Sequence, residues 1–345
     1  MHSDPYVYHL FTKDLFVIFA SWIDDEFLTG NSLPFMHSTI SFLNKKFEIA
    51  AVPDELFVGN IITRDRINKK KFLSIPQFIE KMLIRFDSAD AHPVSQPVLK
   101  GTPRLSKSSS PTDPVSRDSM SAFPFRELLG SISYATCTVR PDLAFIVNQL
   151  AQFCQNPGPE HWNAGIRVLK YLAGTRSHGL CFDGNTRDWS VLDGYSDADL
   201  GGDPETRRST SGYAFRLSGG AISCWSSRRQ PIVALSTMQA EYIAASDWSR
   251  EAVWLRTLLQ ELGYTQTGPT LLHCDNESAI NLAYNPLANK GSKHIELRHH
   301  YIRELVEANV VRIKHVDTKA QLDLYLWSVS KRSFICYCLL IFTNQ

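Results

Sequence analysis

The chain has 345 residues, of which 43% are hydrophobic, and 36 Lys and Arg residues offset 35 Asp and Glu residues to leave a net charge of +1. This length is enough for two domains with separate cores. An ordinary apolar content with so little net charge excludes general disorder. It also excludes a uniformly basic nucleic-acid binder, so any basic surface must be local.

Cysteine usage and the chain ends indicate the compartment. The seven cysteines are scattered, and the closest pair, Cys336 and Cys338, lacks zinc-site spacing. They are typical of reduced, buried thiols in an intracellular protein. The N-terminus has no signal-peptide pattern, and the apolar run 334–342 is shorter than the about 20 residues of a membrane-spanning helix. We expect a soluble protein of the cytoplasm or nucleus with no membrane partner.

The N-terminal part begins with a hairpin signal. The apolar runs around Asp24 and Asp25 predict a hairpin that carries both acids at its tip. A short helix over 42–49, a strand over 55–62 and a helix over 75–86 follow. Between them lies a small basic cluster, which is either a solvated turn or a phosphate contact; its members are Arg64, Arg66, Lys69, Lys70 and Lys71.

A change of composition divides the chain. Residues 91–124 contain six prolines and eight serines and few large apolar residues. Such a segment buries too little surface to offset its ordering entropy, so it predicts a linker or long surface loop. Residues 126–185 then show apolar residues at helical spacing and no catalytic pattern, which indicates a packing and connecting layer.

From Trp189 the pattern predicts strands and helices of an α/β sheet with mixed strand directions. The expected strands cover 191–198, 212–217, 221–226, 270–274 and 310–316. A long helix from Ser236 to about Leu262 is indicated by Ser236 and Gln239, which suit a capping box. Shorter helices are expected up to Leu282 and over 294–308.

Three acids fall at matching places in this sheet. The buried stripe of the long helix, extended back one turn, reaches Glu241, where a carboxylate is costly unless a positive group meets it. Asp197 lies in the first strand and Asp275 at the end of a later one, where ligand sites gather in α/β sheets. Alternatively, Glu241 reaches water and Asp275 only caps a helix. Together the three predict a cluster of oxygen ligands suited to Mg²⁺.

Basic segments flank these acids. They fit a polyanionic substrate held around a metal site, although each taken alone is also compatible with an ordinary solvated face. Residues 206–230 contain Arg207, Arg208, Arg216, Arg228 and Arg229, and residues 289–314 contain Lys290, Lys293, His294, Arg298, His299, His300, Arg303, Arg312 and Lys314.

These ordered motifs resemble a known family. The segments 194–215, 219–245, 273–280 and 293–304 resemble the ribonuclease H domain of copia-type LTR retrotransposon Pol polyproteins. Residues 125–145 and 161–175 resemble their connection segment, and SWIDDEFLTG resembles the reverse transcriptase palm motif. The resemblance covers residues 3–323. It implies a ribonuclease H-like mixed sheet with flanking helices, preceded by a partial reverse transcriptase palm and thumb of α+β type.

The resemblance also assigns domains and carboxylates. It implies a palm remnant and thumb over 1–95, a Pro/Ser-rich linker over 96–125, a connection segment over 126–187, a ribonuclease H-like domain over 188–330 and a degenerate tail over 331–345. Asp197, Glu241 and Asp275 match the family's first three catalytic, metal-binding carboxylates. Asp323 stands for the fourth, but it follows Leu322 one residue earlier than the family pattern requires, which puts its role in doubt.

The polymerase half departs further from the family. Asp24 and Asp25 match the palm's adjacent aspartates, whereas the family's other metal-binding aspartate lies upstream, and only 23 residues precede Asp24. We therefore expect no DNA synthesis. Asp199 is a poorer metal ligand than Asp197, because it lies further towards the loop.

The resemblance implies a ribonuclease H that cuts the RNA strand of RNA–DNA hybrids with two Mg²⁺ ions, with Mn²⁺ as a substitute and no small-molecule cofactor. The hybrid is expected to contact Arg207, Arg208, Arg228, Arg229, Lys293 and His294. Two alternatives remain open: an inactive relic, for which the altered segment after Leu322 argues, and a module that binds hybrids without cutting. The sequence does not determine the oligomeric state.

Overall fold

The computed structural model describes residues 1–49, 55–99, 101–185, 191–217, 221–285 and 296–317. The strands are β1 (Val7–Phe11), β2 (Phe16–Trp22), β3 (Asp25–Gly30), β4 (Leu56–Phe57), β5 (Asn60–Asp65), β6 (Lys70–Ser74), β7 (Leu180–Asp183), β8 (Asp193–Ala198), β9 (Thr210–Leu217), β10 (Ala221–Arg229), β11 (Thr270–Cys274) and β12 (Val311–His315). The helices are α1 (Leu33–Asn44), α2 (Pro76–Arg85), α3 (Pro114–Ser121), α4 (Phe125–Thr138), α5 (Ala144–Ala151), α6 (Pro159–Gly174), α7 (Thr237–Glu261), α8 (Glu277–Tyr284) and α9 (Glu296–Glu307).

The C-terminal half forms the predicted mixed sheet. Its five strands lie in the order β10-β9-β8-β11-β12. The first three form an antiparallel meander, whereas β11 runs parallel to both β8 and β12. The sequence-based α/β prediction is confirmed, and so is the order of its strands and helices. Because β8 and β11 are parallel neighbours, their carboxyl ends meet at one edge of the sheet.

The long helix α7 forms and packs for reasons visible in its sequence. The Ser236 hydroxyl caps it by accepting a hydrogen bond from the Gln239 backbone N–H at 3.2 Å. The Gln239 side chain in turn accepts from the Leu235 N–H at 2.9 Å, one residue before the cap residue. The fully buried Trp248 stacks on Phe215 of β9 at 4.8 Å between ring centroids, which fixes the helix against the sheet.

The N-terminal residues contain the predicted hairpin. Strands β2 and β3 pair antiparallel with Trp22 opposite Asp25, so Asp24 and Asp25 lie at its exposed tip. The helix expected over 42–49 was placed too late, because α1 begins at Leu33 after Ser32, whose hydroxyl accepts from the Phe35 N–H. The strand expected over 55–62 is instead two strands, β4 and β5, joined by a tight turn.

The connecting layer shares a sheet with the N-terminal part. As predicted, α4, α5 and α6 supply most of the elements between 126 and 185. Strand β7, which the helical pattern did not indicate, pairs with β6 and completes a sheet ordered β4-β5-β6-β7. The predicted basic cluster lies on the β5–β6 hairpin, where Lys71 is fully buried.

The Pro/Ser-rich segment 96–125 is more ordered than a linker. It contains α3, capped by the Asp113 carboxylate, which accepts from the Ser116 N–H at 2.9 Å. A 3-10 turn covers Lys107–Ser109. Few large apolar side chains are available here to stabilise the segment by burial. Short polar side chains stabilise it instead, because they accept hydrogen bonds from nearby backbone N–H groups. The division into domains over 1–95, 96–125, 126–187, 188–330 and 331–345 remains a prediction.

Several predicted features fall outside the described residues. These are Lys293, His294, Asp323, the tail 331–345 and the turn at Gly219 and Gly220. Within the described part of the chain, no helix is both long enough and apolar enough to cross a membrane.

Candidate metal centre

The three predicted acids come from three elements that converge at one sheet edge. Asp197 is the penultimate residue of β8, and Asp275 directly follows β11. Tyr195 of β8 pairs with His273 of β11, so two residues further along the same register Asp197 is level with Asp275. Glu241 lies in the second turn of α7. The structure therefore brings together the acids that the sequence pattern predicted to cluster.

Asp197 and Glu241 share one backbone donor. The Ala198 N–H donates to Asp197 Oδ1 at 2.9 Å and to Glu241 Oε1 at 3.1 Å. The Glu241 side chain is only 5% exposed, and among the described residues no N–H or hydroxyl group reaches its Oε2. A buried carboxylate oxygen without a donor is costly unless a cation meets it.

Burial and mutual repulsion dominate the electrostatics of the pair. Burial, followed by the charge of Asp197, raises the pKa of Glu241 to about 10. Burial also raises the pKa of Asp197, a hydrogen bond with Glu241 opposes that shift, and the charge of Asp275 adds to it. Raised pKa values mean that the folded chain resists having all of these groups ionised together without a cation.

A thiol completes the cluster without suiting a hard cation. One ligand atom each from Glu241, Cys274 and Asp275 lie within 4.8 Å of one another. Burial, and then the Glu241 charge, raises the pKa of Cys274 to about 12, so this thiol stays neutral. A neutral thiol is a poor ligand for Mg²⁺, which prefers oxygen. The donors that fit a divalent cation here are the carboxylate oxygens of Glu241 and Asp275, and Asp197 lies beside Glu241 without belonging to this group of three.

The predicted nucleic-acid contacts are only partly free for that role. Arg207 and Arg228 are exposed and Arg208 is half-buried, all at the edge of the sheet that carries the acids. Arg229 instead pairs with Asp203 and donates to Gln152 Oε1 at 2.8 Å, so it ties the β8–β9 loop to the end of α5. The Arg229 side chain is thus engaged in contacts within the protein.

The palm-like aspartates lie elsewhere. Asp24 and Asp25 are both exposed at the tip of the β2–β3 hairpin, in a separate three-stranded sheet. Within the described residues, they do not belong to any group of three metal-ligating side chains.

Sequence reasoning missed two neighbours of the site. Cys274 lies on the same face of β11 as the buried Leu272, a pattern that predicts its burial but not its approach to the acids. Arg104, from the Pro/Ser-rich segment, pairs with Asp199 just beyond β8. No local pattern indicates a contact between residues 95 positions apart.

Comparison with known proteins identifies relatives of the chain. No family model matches it. It is 40% identical over 319 residues to the retrovirus-related Pol polyprotein from transposon TNT 1-94 of Nicotiana tabacum, covering 92% of this chain and 24% of that protein. It is 36% identical over 337 residues to the Pol polyprotein from transposon RE1 of Arabidopsis thaliana, covering 96% and 22%.

Among solved structures, the chain is similar to LC11-RNase H1 in complex with an RNA/DNA hybrid, with a TM-score of 0.30 and 12% identity over 39% of this chain and 90% of that one. The chain spans about a quarter of the length of its curated Pol relatives. Because the matches cover 92% and 96% of this chain, they include the C-terminal mixed sheet and most of the segments that precede it. Over 92% and 96% of its length the chain thus matches one segment of retrovirus-related Pol polyproteins of copia-type transposons.

Proposed function

We propose that this chain is a magnesium-dependent ribonuclease H, a hydrolase that cuts the RNA strand of RNA–DNA hybrids within a retrotransposon Pol polyprotein. The observation that carries the proposal is that the buried Glu241 Oε2 accepts no N–H or hydroxyl group among the described residues, while Asp197 shares the Ala198 N–H with Glu241 and a ligand atom of Asp275 lies within 4.8 Å of one of Glu241. A structural cluster would be expected to satisfy that oxygen from within the protein. A site that binds a cation leaves it open.

Three side chains would hold the metal: Asp197, Glu241 and Asp275, with Asp323 as the fourth acid that family resemblance suggests. Divalent ions bound by such acids activate a water molecule and stabilise the leaving oxygen of a phosphodiester. The carboxylates are positioned by β8, α7 and β11 rather than by loops. The Ala198 N–H fixes one oxygen of each of two acids and so sets the direction in which the other oxygens point.

The proposed substrate follows from the surrounding charge. Arg207, Arg208 and Arg228 stand where a phosphate backbone could be held beside the acids. Discrimination of RNA from DNA would come from 2′-hydroxyl contacts in the wide minor groove. DNA synthesis is not part of the proposal, because Asp24 and Asp25 are exposed at the hairpin tip and, in the part of the chain that the structure describes, belong to no group of three metal-ligating side chains.

The test is cleavage of an end-labelled RNA–DNA hybrid by the full chain in magnesium, with RNA–RNA and DNA–DNA duplexes as substrate controls. Asp197→Asn is expected to abolish cutting while the circular dichroism spectrum stays unchanged. The matched control is Asp118→Asn, an exposed acid on α3, which should cut like the wild type. Cutting that survives Asp197→Asn would rule out this site.

The two alternatives give different results in the same assay. A module that binds hybrids without cutting would show salt-dependent affinity and intact RNA in magnesium. An inactive relic would show neither cleavage nor a saturable response of its stability to magnesium.

A further inference from the structure

The loop between β8 and β9 is held by acidic side chains in addition to backbone hydrogen bonds. The paired residues of the two strands end at Ala198 and Ser211, and the Asp199 N–H still donates to the Thr210 carbonyl oxygen at 3.3 Å. Beyond them, Asp199 Oδ1 accepts the backbone N–H groups of Gly202 at 3.2 Å and Thr210 at 2.8 Å. The loop therefore closes around the Asp199 carboxylate, which lies two residues after Asp197.

Arg104 holds the other oxygen of that carboxylate. Its guanidinium pairs with Asp199 Oδ2 and reaches Thr210 Oγ1 at 3.4 Å. It also lies 5.0 Å from the centroid of the Phe145 ring of α5. A Cβ built on Gly202 would lie 2.5 Å from the Arg104 Cζ, so the loop backbone packs directly on the guanidinium. The side chains of Arg104 and Asp199 are 24% and 27% exposed, and solvent screens the pair only in part.

A second contact between the Pro/Ser-rich segment and the β8–β9 loop lies two residues after Arg104. The Ser106 hydroxyl and the Lys107 N–H both donate to Glu205 Oε1, at 2.7 and 2.9 Å. The Ser106 carbonyl in turn contacts His161 Nε2 of α6 at 3.1 Å. Residues 104–107, here called the brace, thus link the β8–β9 loop to the helices of the connecting layer.

We propose that Arg104 is a positioning residue: through Asp199, the brace fixes the loop that follows β8 and thereby the Asp197–Ala198 end of that strand. One peptide bond separates Asp199 from Ala198, whose N–H holds both Asp197 and Glu241. Displacing Asp199 therefore moves the donor on which the arrangement of the acids depends. The bracing of the loop is independent of catalysis, whereas its effect on cleavage rests on the proposed function.

The test is hydrogen exchange of the full chain, followed by mass spectrometry of peptides that cover residues 197–212. Arg104→Ala is expected to speed exchange there about tenfold. The matched control is Arg117→Ala, an exposed arginine of the same Pro/Ser-rich segment whose side chain donates to the Pro111 carbonyl oxygen at 3.3 Å. It should exchange like the wild type, and peptides over β11 should be unchanged in both variants, which reports an intact fold.

Two further variants separate positioning from a general loss of packing. Arg104→Lys keeps the charge and one donor towards Asp199 and should restore part of the protection. In an Asp199→Asn background, Arg104→Ala should add little further exchange, because the partner charge is already gone. Unchanged exchange in Arg104→Ala overturns the proposal, and so does an equally large effect in the Asp199→Asn background.

A cleavage measurement keeps this test distinct from that of the proposed function. If the wild type cuts hybrids, Arg104→Ala should require several-fold more Mg²⁺ for half-maximal rate, and an unchanged requirement overturns the effect on Asp197. If the wild type does not cut at all while exchange responds as expected, the proposed function fails and the brace stands.

Discussion

Replacing Glu241 by glutamine should stabilise the metal-free chain at neutral pH. An unfolded Glu241 ionises at its ordinary pKa of 4.5, whereas in the folded chain burial and Asp197 raise that pKa to about 10. At pH 7 the folded carboxyl must keep a proton that the unfolded one has lost. Over about 2.5 pH units at about 1.4 kcal/mol each, this lowers the free energy of unfolding by about 3–4 kcal/mol.

The sign of the pH dependence follows from the raised pKa. Below pH 4.5 the group is protonated in both states and contributes no penalty. As the pH rises from 4.5 towards 10, the unfolded state alone releases the proton, so the free energy of unfolding falls. Glutamine keeps an oxygen for the Ala198 N–H and offers Asp197 an N–H donor, yet it cannot ionise, so the penalty is absent in Glu241→Gln.

The assay is urea unfolding in a chelator between about pH 4.5 and 8, repeated in magnesium. The free energy of unfolding of Glu241→Gln should match that of the wild type near pH 4.5 and exceed it by about 3–4 kcal/mol at pH 7. Magnesium should stabilise the wild type and leave Glu241→Gln nearly unchanged. Glu304→Gln, an exposed acid on α9, serves as the matched control with no effect at either pH. A variant no more stable than the wild type at pH 7 would refute the reasoning.

Three other substitutions test the site and the packing around it. Asp275→Asn should abolish magnesium-dependent cleavage with the circular dichroism spectrum unchanged, and cleavage at the wild-type rate would remove Asp275 from the site. Replacing Arg207 and Arg208 by alanine should weaken hybrid binding and lower the salt dependence by roughly one unit for each phosphate that is no longer neutralised, measured by fluorescence anisotropy in graded salt; an unchanged slope would place the backbone elsewhere. Gly194→Ala should lower the free energy of unfolding by about 1–3 kcal/mol in urea titration, because the new Cβ would press against the Ala214 carbonyl oxygen of β9 and lie 2.6 Å from Trp248 Nε1; a neutral result would mean that both β9 and α7 shift freely at this position.

Local signals account for the parts of the fold that the sequence predicted well. Ser236 and Gln239 mark the start of α7 because a cap satisfies N–H groups within the first turn of the helix. The stripe through Trp248 predicts the buried face of the same helix for an equally local reason, its period. The three acids could be placed because each lies at the end, or near the start, of an element whose type is indicated locally.

Contacts between distant segments could not be predicted in this way. Strand β7 is a short apolar stretch after a helix, and its pairing with β6 depends on a partner far earlier in the chain. Arg104 lies among serines and prolines that favour a linker, and its role comes entirely from Asp199. Propensity carries no information on partners at such separations, so both contacts are visible only in the folded chain.

The carboxylate that forms the candidate site also lowers the stability of the fold. Glu241 occupies a position on the buried side of α7 that would be apolar in a helix selected for stability alone, and its burial costs free energy until a cation binds. The helix tolerates this because Trp248, Ala252, Leu255 and Leu259 are each fully buried further along it. Keeping the acid near one end confines the penalty to the edge where a ligand can enter. A cation that binds there recovers the lost free energy, so binding and folding of this edge are thermodynamically linked.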